Sequence, residues 1–314
     1  MRAITAGLML ICSLRAQPSE LAALATPATA TSFVLAKSGR LGGAVCEDGK
    51  LRLWTLPEGR LLRTIDLGAR NIDAVTMSED GAWVAAGDHR GTYTVWDTSS
   101  GTRHLHVQMP FYPFSLAFSP NGKRLAIAAV GEPVQIYDPV SGQKLFELQR
   151  TIGGTAAIAF SPDGGRIATA DTDTVVRFYD ARNGEMLARN AEFLLVPMAA
   201  AFSADGKQVL AAGGDKIIAL LDAATGNVIR RSAKEVDPVS YMKVSPDGTL
   251  LAAMLMHADN MLMAGPLVIS ETATGRKVQE WLPASLALGG GWTNDGHLLI
   301  ATAAGKTLHI WRVR

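Results

Sequence analysis

This sequence has little with which to cross-link, stain or drive itself onto a charged partner. Its 314 residues hold two cysteines, Cys12 and Cys46. If Cys12 lies in a removable leader, Cys46 is left alone, so no internal disulfide is possible. Its expected role is that of a small buried residue on a strand. Charged residues make up 19% of the chain, with Lys plus Arg at 30 and Asp plus Glu at 29. No run of five like charges occurs. That balance argues against nucleic-acid or polybasic membrane binding, since both need concentrated positive charge. No apolar run is long enough for a transmembrane helix, and helical periodicity does not extend beyond the N-terminal sixteen residues. The usual catalytic motifs are missing too. There is no Gly-x-Ser-x-Gly elbow, His-Glu-x-x-His helix, phosphate loop ending Gly-Lys-Ser/Thr, or Cys-x-x-Cys-His haem site.

The N-terminus reads as an export leader. Arg2 gives a positive start, Ala3 to Leu14 is apolar, and Ser13-Leu14-Arg15-Ala16 places a small residue before Gln17. Cleavage is expected after Ala16. Ile11 stands before Cys12 where a lipid-modification box needs a small residue, so lipidation does not fit. The expected organisation is a signal peptide over 1–16, a single domain over 17–314, and a periplasmic or secreted mature protein.

What the sequence has is a repeat. A Ser-Pro-Asp-Gly-like turn recurs with its glycine at Gly39, Gly81, Gly122, Gly164, Gly206, Gly248 and Gly296. A strand then ends at Trp54, Trp96, Tyr137, Tyr179, Leu221, Ser270 and Trp311. The interval is 15 residues in six copies and 22 in the copy from Gly248 to Ser270. Each copy divides into four short strands. In the fourth they are expected over Thr155 to Phe160, Arg166 to Ala170, Thr174 to Tyr179 and Met186 to Asn190. Val176-Arg177-Phe178-Tyr179 alternates as a strand should. In Ser161-Pro162-Asp163-Gly164 proline presets φ and glycine accepts φ > 0.

Four-strand units at this period are propeller blades, so the predicted fold is an all-β, seven-bladed β-propeller of four-stranded antiparallel blades. A single blade cannot bury both faces of its sheet, so neighbours stack and the ring closes. Inner strands near the axis should carry small residues, as in Ala156-Ala157-Ile158-Ala159, Ala199-Ala200-Ala201 and Gly289-Gly290-Gly291. Phe118, Phe160, Phe202 and Trp292 share one position and should pack between blades. The last copy lacks a fourth strand, and Ser19 to Ala25 is the spare one. It is expected to complete the last blade and remove an unpaired edge.

Trp96-Asp97, Tyr137-Asp138 and Tyr179-Asp180 give the chain a resemblance to the WD-repeat family over Ser19 to Arg314. Leu221-Asp222 and Ser270-Glu271 match more weakly, Trp54 and Trp311 precede Thr55 and Arg312, and no copy opens with the Gly-His pair that often opens such repeats. The resemblance implies a rigid disc without built-in chemistry that binds a protein or peptide. The ligand would sit on the face bearing the second-to-third-strand loops.

On that face the candidate partner-binding residues are Phe111, Tyr112, Phe193 and Leu194, with His89 and Arg90 as a polar rim; exposed aromatics suit a desolvated contact centre. A metal alternative uses the insertion in the sixth copy. There Met254, Met256, His257, Met261 and Met263 offer thioether and imidazole ligands that favour copper; methionines filling apolar space is the plainer role. Asp171 and Asp173 resemble paired acids but fit a turn-bonding role. His104 and His106 alternate on an outer strand as solvated edge residues. A propeller hydrolase or lactonase would need histidines and carboxylates gathered at the channel mouth, whereas the six histidines scatter along the chain. The leading expectation is a non-catalytic interaction platform.

Overall fold

The computed structural model describes residues 18–232, 238–256, 264–285 and 287–314. The proposed leader, residues 1–16, lies outside them. Among the described residues there is no helix long and apolar enough to cross a membrane.

Each repeat becomes a sheet of four antiparallel strands, seven sheets in all. Blades 1 to 6 occupy residues 30–66, 72–108, 113–147, 155–190, 197–231, and 239–256 with 264–281. Blade 7 joins strands Ala287–Trp292, Leu298–Ala304 and Thr307–Arg312 to the N-terminal strand Ser19–Ala25. The inner strands touch in sequence around the axis, and that of blade 7 touches that of blade 1, so the ring closes. Ser19–Ala25 is the segment assigned to closure from the repeat offsets. It pairs with Thr307–Arg312 through Ala23↔His309, Leu24↔Leu308 and Ala25↔Thr307.

The turns that set the period are built alike. Ser161 Oγ donates to Asp163 Oδ1 at 2.5 Å and accepts from the Arg166 amide at 2.8 Å. Gly164 has φ of 70°, where a side chain would be strained. The same serine–acid turn recurs at Ser203 and Asp205 and at Ser245 and Asp247. In these copies the serine and acid side chains fix the reversal locally.

The core is seven clusters, one between each pair of adjacent blades. Ala168, Val176 and Phe178 of blade 4 meet Phe202, Val209 and Leu221 of blade 5. Leu24, Leu308 and Ile310 of blade 7 meet Phe33, Ala44 and Trp54 of blade 1. Phe118, Phe160, Phe202 and Trp292 each pack across a blade boundary. Burying such a side chain stabilises by about 1.5–3 kcal/mol, so stability is distributed around the ring.

Three sequence expectations need correction. The third strand of blade 4 starts at Val176, not Thr174, because Thr174 takes φ of 66° in the preceding turn. The inner strands are not uniformly small. Tyr241 of blade 6 reaches over the glycine strand of blade 7, its hydroxyl donating to Gly290 O at 2.7 Å. Finally, Trp311 is not the counterpart of Trp54 and Trp96. Those pair with Gly42 and Val84, the second residues of their second strands, whereas Trp311 pairs with Ile300, the third residue of its own. Val313 takes the strand-end place, its amide donating to Leu298 O at 2.9 Å. The cause is local. The turn before the second strand is one residue tighter, Thr293 bonding His297 where Ser78 bonds Trp83, and the next hairpin closes at Ala304↔Thr307.

Candidate protein-binding face

The loops joining second to third strands share one face of the disc with the loops that join successive blades. Between blades 2 and 3 the two kinds of loop lock together. Asp88 Oδ1 accepts from the amides of Arg90 and Thr92, both at 2.9 Å, which folds residues 88–92 into a fixed turn. The side-chain amide of Gln108 donates to Arg90 O at 2.7 Å and Met109 O at 3.0 Å. Gly91 has φ of 81°, and a Cβ there would lie 2.3 Å from Met109 O. Only glycine lets the joining loop lie this close.

The result is an exposed aromatic ladder. His89 Nδ1 lies 2.9 Å from Asp73 Oδ2. The His89 ring stacks on Tyr112 at 5.2 Å and 12°, and Tyr112 meets Phe114 edge-on at 6.0 Å. Phe111 beside them is 48% exposed. Aromatic pairs in these geometries add about 0.5–1.5 kcal/mol beyond area burial, so the ladder is preformed. Arg90 is exposed on the same turn. The next two joining loops extend the apolar surface as an arc, with Ile152 at 84% exposure and Leu194 at 83%.

The structure thus gathers His89, Arg90, Phe111 and Tyr112, and sets Leu194 two loops away. Phe193 is different. It is 4% exposed and packs with Val176, Phe178 and Phe202 between blades 4 and 5, which removes it from the exposed set. Sequence reasoning missed Phe114, Ile152 and Leu195. Ile152 precedes Gly153-Gly154, and an apolar residue beside paired glycines in a blade-joining loop was the available signal.

The other singled-out residues are accounted for by structure. Asp171 is fully buried and accepts from Thr155 Oγ1 at 2.5 Å, Thr169 Oγ1 at 2.9 Å and Arg177 at 2.7 Å. Burial pushes its carboxyl up, and these three donors pull it back. Asp173 holds the same guanidinium through two bonds at 2.9 and 2.7 Å. His104 meets Trp83 edge-on at 5.0 Å, and His106 contacts Thr94 Oγ1 at 3.2 Å. Cys46 is buried, and burial raises its thiol. Met254 packs against the cluster between blades 6 and 7, and Met256 pairs with Ala264. His257, Met261 and Met263 lie outside the described residues. Among the described residues no three His, Cys, Asp or Glu side chains converge on a metal-sized point.

Comparison with known proteins places this geometry. A family model described as outer membrane protein assembly factor BamB matches residues 37–280. Periodic tryptophan protein 2 of Saccharomyces cerevisiae is 30% identical over 96 residues, 30% of this chain and 10% of that protein. Small ribosomal subunit protein RACK1 of Schizosaccharomyces pombe is 35% identical over 88 residues, 28% of each chain. WD repeat-containing protein SL1-17 of Schistosoma mansoni is 26% identical over 110 residues, 35% of this chain and 36% of that protein. The alignments therefore span at most about a third of these relatives.

Proposed function

The chain belongs to the propeller family described as outer membrane protein assembly factor BamB and is built of WD repeats, and from that footing we propose that it is an exported, non-catalytic protein-interaction platform. The observation that carries this reading is the exposed ladder of His89, Tyr112 and Phe114 with Phe111 beside it. Exposed aromatic rings held by their own stacking lose little freedom on association, which favours binding. Ile152 and Leu194 continue the contact toward the next two blades, and Arg90 supplies a polar rim. Export rests on the leader-like sequence of residues 1–16, and the family description is consistent with work in a cell envelope.

The test is affinity capture from an envelope fraction with the native chain and with a Phe111→Ala/Tyr112→Ala variant. The native chain should retain a defined protein partner that the variant loses. Equal recovery by both would remove this patch as the contact. N-terminal sequencing of protein from that fraction should begin at Gln17.

A further inference from the structure

The interface between blades 7 and 1 carries a second site, on the face opposite the aromatic ladder. A cleft of about 450 Å³ opens there between Arg40, Thr55 and Pro57 of blade 1 and His297, Leu299 and Arg312 of blade 7. Its volume lies in the range of about 300–1,000 Å³ typical of ligand pockets.

The register explains why this boundary is hollow. In each third strand, the residue paired with Gly43, Ala85, Ala126, Ala168, Leu210 or Ala252 of the second strand faces the next blade. In blades 1 to 6 it is Leu53, Val95, Ile136, Phe178, Leu220 and Ile269, all buried. In blade 7 the pair is Leu299↔Arg312, so an exposed arginine stands where six blades place an apolar plug. Across the boundary Gly42 occupies the place of Val84, Leu125 and Ile167, and the side chains of Phe33 and Leu56 fill that space.

Two guanidiniums border the cleft, and neither Arg40 nor Arg312 has an ion pair or side-chain hydrogen bond among the described residues. Leu21, Leu56, Pro57 and Leu299 supply apolar wall. Glu58 and Asp295 also line it. Asp295 accepts from Thr293 Oγ1 and lies 3.8 Å from His297 Nε2. These two carboxylates disfavour a multiply charged anion such as phosphate, whereas a single carboxylate beside an apolar group matches guanidinium and wall together. We propose that the cleft binds a peptide carboxylate flanked by an apolar side chain.

The test uses the full chain and a fluorescein-labelled, C-terminally amidated peptide, Gly-Leu-Glu-Leu-Gly, whose glutamate is its one peptide carboxylate, read by anisotropy. Its Glu→Gln counterpart and free isovalerate, a single carboxylate beside an apolar group, are the comparison ligands. Arg312→Leu restores the apolar residue of the other six blades and so keeps the fold, while Arg40→Gln removes charge alone. The expected result is saturable binding of the glutamate peptide, weakened at least tenfold by either substitution and by the Glu→Gln change. Phe111→Ala/Tyr112→Ala should leave it unaltered, which separates this site from the proposed platform. Isovalerate bound without the peptide would reassign the site to a free small carboxylate and overturn the peptide. No binding of either ligand, equal affinity for the two peptides, or undiminished binding by Arg312→Leu would overturn the site itself.

Discussion

Blades 4 and 5 meet as the repeat dictates, whereas blades 7 and 1 meet where the repeat is broken. At the regular boundary Phe178 is fully buried, and on the opposite face of blade 4, the face that packs on blade 3, Arg177 holds Asp171 and Asp173. At the seam the corresponding position is Arg312, the outer strand comes from the other end of the chain, and a cleft remains. The difference teaches that a ring of near-identical units can be uniform in backbone and still concentrate open chemistry at its closure. The six regular boundaries spend their apolar residues on packing; the seam leaves guanidiniums facing solvent.

The largest expected effect breaks the seam directly. Deleting residues 18–25 exposes the edge of Thr307–Arg312 and removes Leu24 from its cluster. An unpaired edge invites intermolecular pairing, so the truncated chain should collect in the insoluble fraction while a chain beginning at residue 18 stays soluble. On the blade 3 side of blade 4, Arg177→Met leaves Asp171 buried without its charge partner, and breaking such a pair costs about 3–5 kcal/mol. Urea denaturation should show that loss. Phe178→Ala should cost about 3–5 kcal/mol by the same measurement. Its counterpart at the seam points the other way. Arg312→Leu should stabilise by about 1–2 kcal/mol if the added side chain fills the cleft, in line with the gain from burying one leucine.

The smallest effect concerns acid. Asp97 is lowered to about 2 chiefly by the Ser99 hydroxyl, and Asp180 to about 2 chiefly by Arg182. A carboxyl depressed on folding stabilises fully above its unfolded pKa near 4 and loses that contribution as pH falls toward 2. Thr55 ends the third strand of blade 1 and offers no such carboxyl. Asp97→Asn and Asp180→Asn should each flatten the fall in melting temperature between pH 4 and pH 2, and Thr55→Ala should leave its slope unchanged.

The repeat makes the ring legible in the sequence alone. Glycine spacing and period-two alternation depend only on backbone needs, so Ser19–Ala25 could be placed from an offset alone. What sequence could not convey was register within an exceptional blade. Trp311 keeps the sequence interval of Trp96, but a tighter turn at Thr293 moves it along the strand. Nor could it convey which way a loop side chain turns. Phe193 and Leu194 are adjacent and equally apolar, yet one is buried between blades and the other is among the most exposed residues described. Phe114 was hidden because an inner strand of small residues was expected, and its ring lies at the mouth where the strand begins.

The claim on which the account rests is that the two chain ends share one sheet, and it can be tested by trapping the pair. Ala23→Cys and His309→Cys stand as direct partners across the last two strands, where Cα atoms are about 4.5–5.5 Å apart, within disulfide reach. Mild oxidation should join them rapidly within one chain, while Ala23→Cys with Lys144→Cys on blade 3 stays reduced. A chain that fails to form the first bond, or forms the second as readily, would contradict closure by the N-terminal strand.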